Sequence, residues 1–189
     1  MDHAGTEDLP MQTPYCPASR PTGYGLIELC ATLAVVGLLC AVALPSFQYN
    51  MARLRADNLR MQLHATLSMA RATALTRRKR THLCPSSDGT TCGTEWADGW
   101  LLFEAADKAG KDPHPIVPLM VERRAPSTVR VLHTQHRLRV QFRHDGRNAG
   151  RNLSLYICAG DRLHSEIKVS ITGRVRSNVL RRSLRCAVP

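Results

Sequence analysis

The sequence predicts an α+β chain: one long N-terminal helix, apolar in its first half and amphipathic in its second, packed on an antiparallel β-sheet domain. Three observations carry this. Residues 29–44 contain no charged side chain. Beyond them Met51, Leu54, Leu59, Leu63, Leu67 and Leu75 recur mostly at steps of three to five residues, with arginines between them, the spacing of one helix face. After Thr81 the texture changes to short apolar or alternating runs separated by Gly, Pro, Asp and Asn, the pattern of strands and turns.

Residues 1–23 carry Asp2, Glu7, Asp8 and Arg20. This is not the short basic start of a secretory signal peptide, and the apolar run follows the segment rather than lying within it. Residues 24–44 are long enough to span, or nearly span, a hydrocarbon core. Arg20, just before them, agrees with a cytoplasmic location for the N-terminal segment. A carboxylate within such a span is costly without a partner, so Glu28 marks a functional position. The amphipathic pattern runs on past Pro45 to about Leu75 and ends in Arg77-Arg78-Lys79-Arg80; cations suit a helix C-terminus.

The stretch Gly23-Tyr24-Gly25-Leu26-Ile27-Glu28-Leu29, with Pro45 as the twenty-second residue counted from Tyr24, resembles the class III signal of type IV prepilins and type II secretion pseudopilins. Tyr-Gly stands where many members have Phe-Thr. The resemblance implies a type IV pilin-like fold and cleavage by a prepilin peptidase after Gly23. It also implies methylation of Tyr24, pairing of Glu28 with the terminal amine of a neighbouring subunit, and a helix bend at Pro45. The expected organisation is a cleaved leader (1–23), a helix (24–80) with its transmembrane half at 24–44, and a β-rich domain (81–189). Losing the leader, with its one basic and three acidic side chains, leaves 166 residues with 25 basic against 12 acidic, a net charge of +13. That length holds one membrane helix and one domain of roughly 100–130 residues.

Strands are expected at residues 82–84, 99–103, 116–121, 129–133, 138–142, 153–158, 167–171 and 175–180. Residues 138–142, Leu-Arg-Val-Gln-Phe, alternate with period two, as a half-buried strand should. Asp145-Gly146 and Gly173 mark turns, and residues 108–115 read as a loop. Trp96 and Trp100 read as packing residues rather than base-stacking platforms, so a single-strand stacking surface is unsupported.

Seven cysteines divide by location. Cys16 lies in the leader, and Cys30 and Cys40 lie in the apolar helix as packing residues. Cys84, Cys92, Cys158 and Cys186 remain for a domain on an oxidising side, where an even count suggests disulfides. Three pairings are possible. Cys84–Cys92, closing a short loop, with Cys158–Cys186, tying the tail to a strand, is the favoured one. No Cys-x-x-Cys pair and no clustered Cys/His spacing supports zinc, so neither metal nor cofactor is expected. Nor is there a nucleophile elbow, a phosphate-binding glycine loop or a His-Glu metal motif. The chain does not read as an enzyme.

Charge is the functional signal. Residues 121–189 hold fifteen Arg or Lys against four Asp or Glu, and fourteen of the cations are arginines. The planar arginine fork suits phosphate oxygens, and such a concentration is the footprint of a polyanion partner. In Gly173-Arg174-Val175-Arg176 an extended backbone puts Arg174 and Arg176 on one side with Val175 inward. The two forks are then about 7 Å apart, close to the spacing of successive phosphates.

Leu83-Cys84-Pro85-Ser86, then Trp96, Gly99-Trp100-Leu101-Leu102-Phe103 and Thr172-Gly173-Arg174-Val175-Arg176 together resemble the FimT/GspH group of minor pilins and minor pseudopilins. The last motif is similar to the GRxR signature of FimT-type DNA-uptake pilins, which implies DNA binding by Arg174 and Arg176 with Gly173 as the turn residue. Lys168, Arg181, Arg182 and Arg185 are weaker candidates, chosen for nearness in sequence. The implied function is sequence-tolerant capture of duplex DNA for natural transformation. Its other implied partners are further pilins, the prepilin peptidase and the inner membrane. The alternative is a GspH-like minor pseudopilin of a type II secretion system, which does not bind DNA.

Overall fold

A computed structural model of the chain describes residues 25–105, 117–123, 129–134 and 138–187. Helix α1 spans Leu26–Arg77, with Pro45 inside it. Among the described residues eight strands follow: β1 (Thr81–Pro85), β2 (Gly99–Glu104), β3 (Pro118–Arg123), β4 (Val129–His133), β5 (Val140–Phe142), β6 (Leu153–Ala159), β7 (Arg162–Val169) and β8 (Val175–Arg185). The chain divides into two compact units, residues 1–42 and 43–189. In the first, α1 is long and apolar enough to cross a membrane. Its apolar side chains stand exposed, Leu26 and Ile27 at 82%, as a lipid-facing surface requires. Glu28 lies in its first turn. Gly23 and Tyr24 fall outside the described residues.

The second unit carries the core. The domain holds not one sheet but two, ordered β3-β2-β1-β5 and β4-β6-β7-β8, with every pairing antiparallel. The second half of α1 packs on residues from both. Its buried positions are Ala56, Leu59, Leu63, Thr66, Leu67, Ala70 and Ala74, a run of three- and four-residue steps. Leu54 and Leu75, expected on this face, are 59% and 45% exposed. At about 100° per residue they fall well off the line through Leu59, Leu63 and Leu67, whereas Ala56, Ala70 and Ala74 lie on it and are buried. Trp100 sits at the centre, fully buried, its indole N–H donating to the Thr66 hydroxyl at 3.1 Å. Trp96 is buried as well.

Several boundaries differ from expectation. β7 starts at Arg162 rather than 167: Leu163, His164, Ser165 and Glu166 are buried in mid-sheet although three of the four side chains are polar or ionisable. β8 runs to Arg185 rather than 180. β5 is only three residues long. The disulfides Cys84–Cys92 and Cys158–Cys186 are present, with Cα separations of 5.6 and 5.7 Å.

Candidate nucleic-acid interface

The site begins with the β7–β8 hairpin. Val169 pairs with Val175, and the Ser170 N–H donates to Arg174 O at 3.0 Å. Ile171, Thr172 and Gly173 are left as a three-residue loop, closed by the Gly173 N–H on Ser170 O at 2.9 Å. Such loops place their last residue in the left-handed region, where glycine is favoured. Gly173 has φ of +78°. It has a second reason to lack a side chain: Gly146 O occupies the space a Cβ would need. The Ser170 hydroxyl accepts the Arg174 N–H at 3.1 Å and bonds Thr172 at 2.7 Å. The loop is further held to the 143–152 segment, by Asn148 N–H on Ile171 O at 3.0 Å and Ile171 N–H on Asn152 Oδ1 at 2.9 Å.

This frame fixes the direction of the two arginines. Val175 packs against the core, while Arg174 and Arg176 are exposed. Arg176 stands opposite Lys168, which in turn stands opposite Ser154. Arg174, Arg176 and Lys168 line one groove of about 450 Å³, floored by Leu153 and Val169 and edged by Asn152, Ser154, Ser170 and Thr172. Neither arginine side chain has a partner among the described residues. Lys168 does: its Nζ lies 3.0 Å from the nearly buried Glu166 Oε1. Part of the lysine charge is therefore answered within the protein, whereas both forks face solvent with N–H groups ready to donate to phosphate oxygens. Other arginines are already engaged, Arg130 with Asp161 at 3.2 Å and Arg77 with Glu104 at 2.7 Å.

Behind the groove, β8 is tied to α1. Arg60 donates to the Ser177 hydroxyl at 3.0 Å and to Asp57 Oδ1 at 3.2 Å, and His164 Nε2 lies 3.1 Å from the same oxygen. Burial opposes ionisation of Asp57, but the hydrogen bonds and charges of His164 and Arg60 outweigh it and hold the carboxyl below its usual range.

The weaker candidates fare differently. Lys168 is brought to the site by cross-strand register. Arg185 pairs with Arg162 at the opposite end of the hairpin, nine residues from Arg176 and about 30 Å away along an extended strand. The side chains of Arg181 and Arg182 lie outside the described residues. The groove's polar rim, above all Ser170, escaped the sequence reading, although Ser-Ile-Thr-Gly is turn-like in composition. A larger cavity of about 550 Å³ shares Leu153 with this groove and is lined by His82, Cys92, Arg139 and Arg151 among others. Among the described residues no group of three or more His, Cys, Asp or Glu could hold a metal.

A family model described as Type II transport protein GspH matches residues 60–173. Among solved structures, the fold is similar to the type IV minor pilin FimU of Pseudomonas aeruginosa strain PAO1. One crystal form gives a TM-score of 0.53 at 17% identity, covering 67% of this chain and 90% of that one. A second form gives 0.50 at 17% identity, covering 65% and 91%. The minor pseudopilin EpsH from the Type 2 Secretion System of Vibrio cholerae aligns at 0.46 and 7% identity, over 66% and 97%. A search of curated proteins finds no match.

Proposed function

Since the chain belongs to the GspH family, whose type IV pilin-like fold it shares with FimU, we propose that it is a minor type IV pilin that grips extracellular duplex DNA for uptake. The observation that carries this is the pair of forks, Arg174 and Arg176, without a partner among the described residues and directed by one hairpin into one groove with Lys168 opposite. The contact is with phosphates and is therefore tolerant of sequence. A single groove grips modestly; several copies on one filament gain through effective concentration. In this reading the prepilin peptidase cuts after Gly23 and Tyr24 becomes methylated. Glu28 then meets the terminal amine of a neighbouring subunit as the helix leaves the inner membrane for the filament.

A second reading is favoured by one observation: the family match bears the name of a type II transport protein and ends at Gly173, just before both arginines. In that reading the chain is a minor pseudopilin and the arginines are a solvated turn. The two readings separate in the native host after chromosomal Arg174→Gln/Arg176→Gln replacement. The DNA-uptake pilin predicts normal pilus numbers, transformation reduced at least about tenfold, as loss of 1.4 kcal/mol or more would give, and unchanged protein secretion. Unchanged transformation, together with a secretion block on deleting the whole gene, supports the pseudopilin instead.

A further inference from the structure

Arg71 belongs to none of the sequence motifs, yet the fold sets it beside the hairpin. Its neighbours Ala70 and Ala74 are fully buried, so this turn of α1 is fixed against the core while Arg71 lies at its half-buried margin. The Arg71 Nε donates to Gly146 O at 3.1 Å. That carbonyl is the same one that denies Gly173 a side chain, and a Cβ on Gly173 would lie 3.1 Å from Arg71 Nε. Arg71 and Arg174 share the lining of a second cleft, of about 390 Å³, with Ser68, Ala72, Leu75 and Val175. Arg174 thus lies on the groove and on this cleft, and among the described residues neither has an acidic side chain in its lining. Asp145, in the adjoining turn, accepts the Arg147 N–H on Oδ1 at 3.0 Å.

We propose that the DNA path does not end at the β7–β8 groove but crosses the hairpin onto α1, where Arg71 grips a further phosphate of the same duplex. This rests on the DNA-uptake reading. Arginine suits the position because one nitrogen anchors the group on Gly146 O while the terminal nitrogens, without a partner among the described residues, remain available. A lysine ammonium would bring the same charge to the phosphate as a single point, without the fork that separates the anchoring nitrogen from the gripping ones. Anchoring also orients the fork before DNA arrives, which lowers the ordering cost of binding.

The test titrates the full chain, in a non-ionic detergent, with a duplex of unrelated sequence over a range of salt concentrations. Folding of each variant is checked by circular dichroism. Arg71→Gln is expected to weaken binding about five- to tenfold and to make the salt slope shallower by about 0.9, the value of one phosphate contact. Arg71→Lys should keep most of the slope. Leu75→Ala, which loosens the packing against Gly146 without removing charge, should leave the slope unchanged. A folded Arg71→Gln variant with wild-type slope overturns the inference, and leaves the DNA reading standing if Arg174→Gln/Arg176→Gln still impairs binding. Leu75→Ala lowering the slope as much as Arg71→Gln also overturns it, by assigning the effect to a loosened hairpin. No binding by the wild-type chain overturns both readings.

Discussion

Gly173 bears on the site more directly than any cation, because both arginines take their direction from it. A side chain there meets Gly146 O and a backbone at φ +78°, so Gly173→Ala is strained twice. We expect a cost of at least about 1–3 kcal/mol, seen as a lowered melting temperature, and weaker DNA binding although every cation remains. A variant as stable as wild type contradicts this packing. Gly173, Arg174 and Arg176 were legible in the sequence because hairpin chemistry is local: a glycine, then alternation. Lys168 was chosen for nearness and is brought in by register. Arg185 was chosen for the same reason, and the strand carries it away. Arg71 was not legible at all, since its link to the hairpin runs through a backbone carbonyl 75 residues distant in sequence.

At the scale of elements, the seam between α1 and the second sheet depends on Asp57, Arg60, His164 and Ser177. The Asp57 carboxyl is held below its usual value. Its contribution is therefore present above the unfolded carboxylate pKa, near 3.9, and lost as pH falls through the lower folded value. Asp57→Asn should lower stability at neutral pH and flatten its fall on acidification from about pH 5 downward. Melting curves across pH check this; an unaltered acid limb would contradict the seam. The helix itself was legible from its leucine spacing, but its contact face was only half legible. Ala56, Ala70 and Ala74 are buried on the face that Leu59, Leu63 and Leu67 share, and alanine gives little hydrophobic signal. The split into two sheets was not legible either, because β1 pairs with the distant β5 and β4 with β6, choices that short alternating runs do not encode.

For the whole molecule, the disulfides close the β-domain at both ends. Cys158–Cys186, spanning 28 residues, anchors the end of β8 whose start carries the arginines. In the chain-entropy treatment a bridge of that span contributes roughly 3–4 kcal/mol. Cys158→Ser/Cys186→Ser should lower the melting temperature while leaving the short loop at Cys84–Cys92 intact; an unchanged melt would show that the tail is held by β7 pairing alone. The central claim, that the exposed arginine pair is a grip for DNA, is tested most directly by one measurement. It is the salt dependence of duplex binding by the full chain and by Arg174→Gln/Arg176→Gln, both shown to be folded. Binding should ignore sequence, weaken steeply with salt, and in the double variant fall with a slope shallower by nearly two. Equal binding and equal slope in the two proteins would contradict the claim.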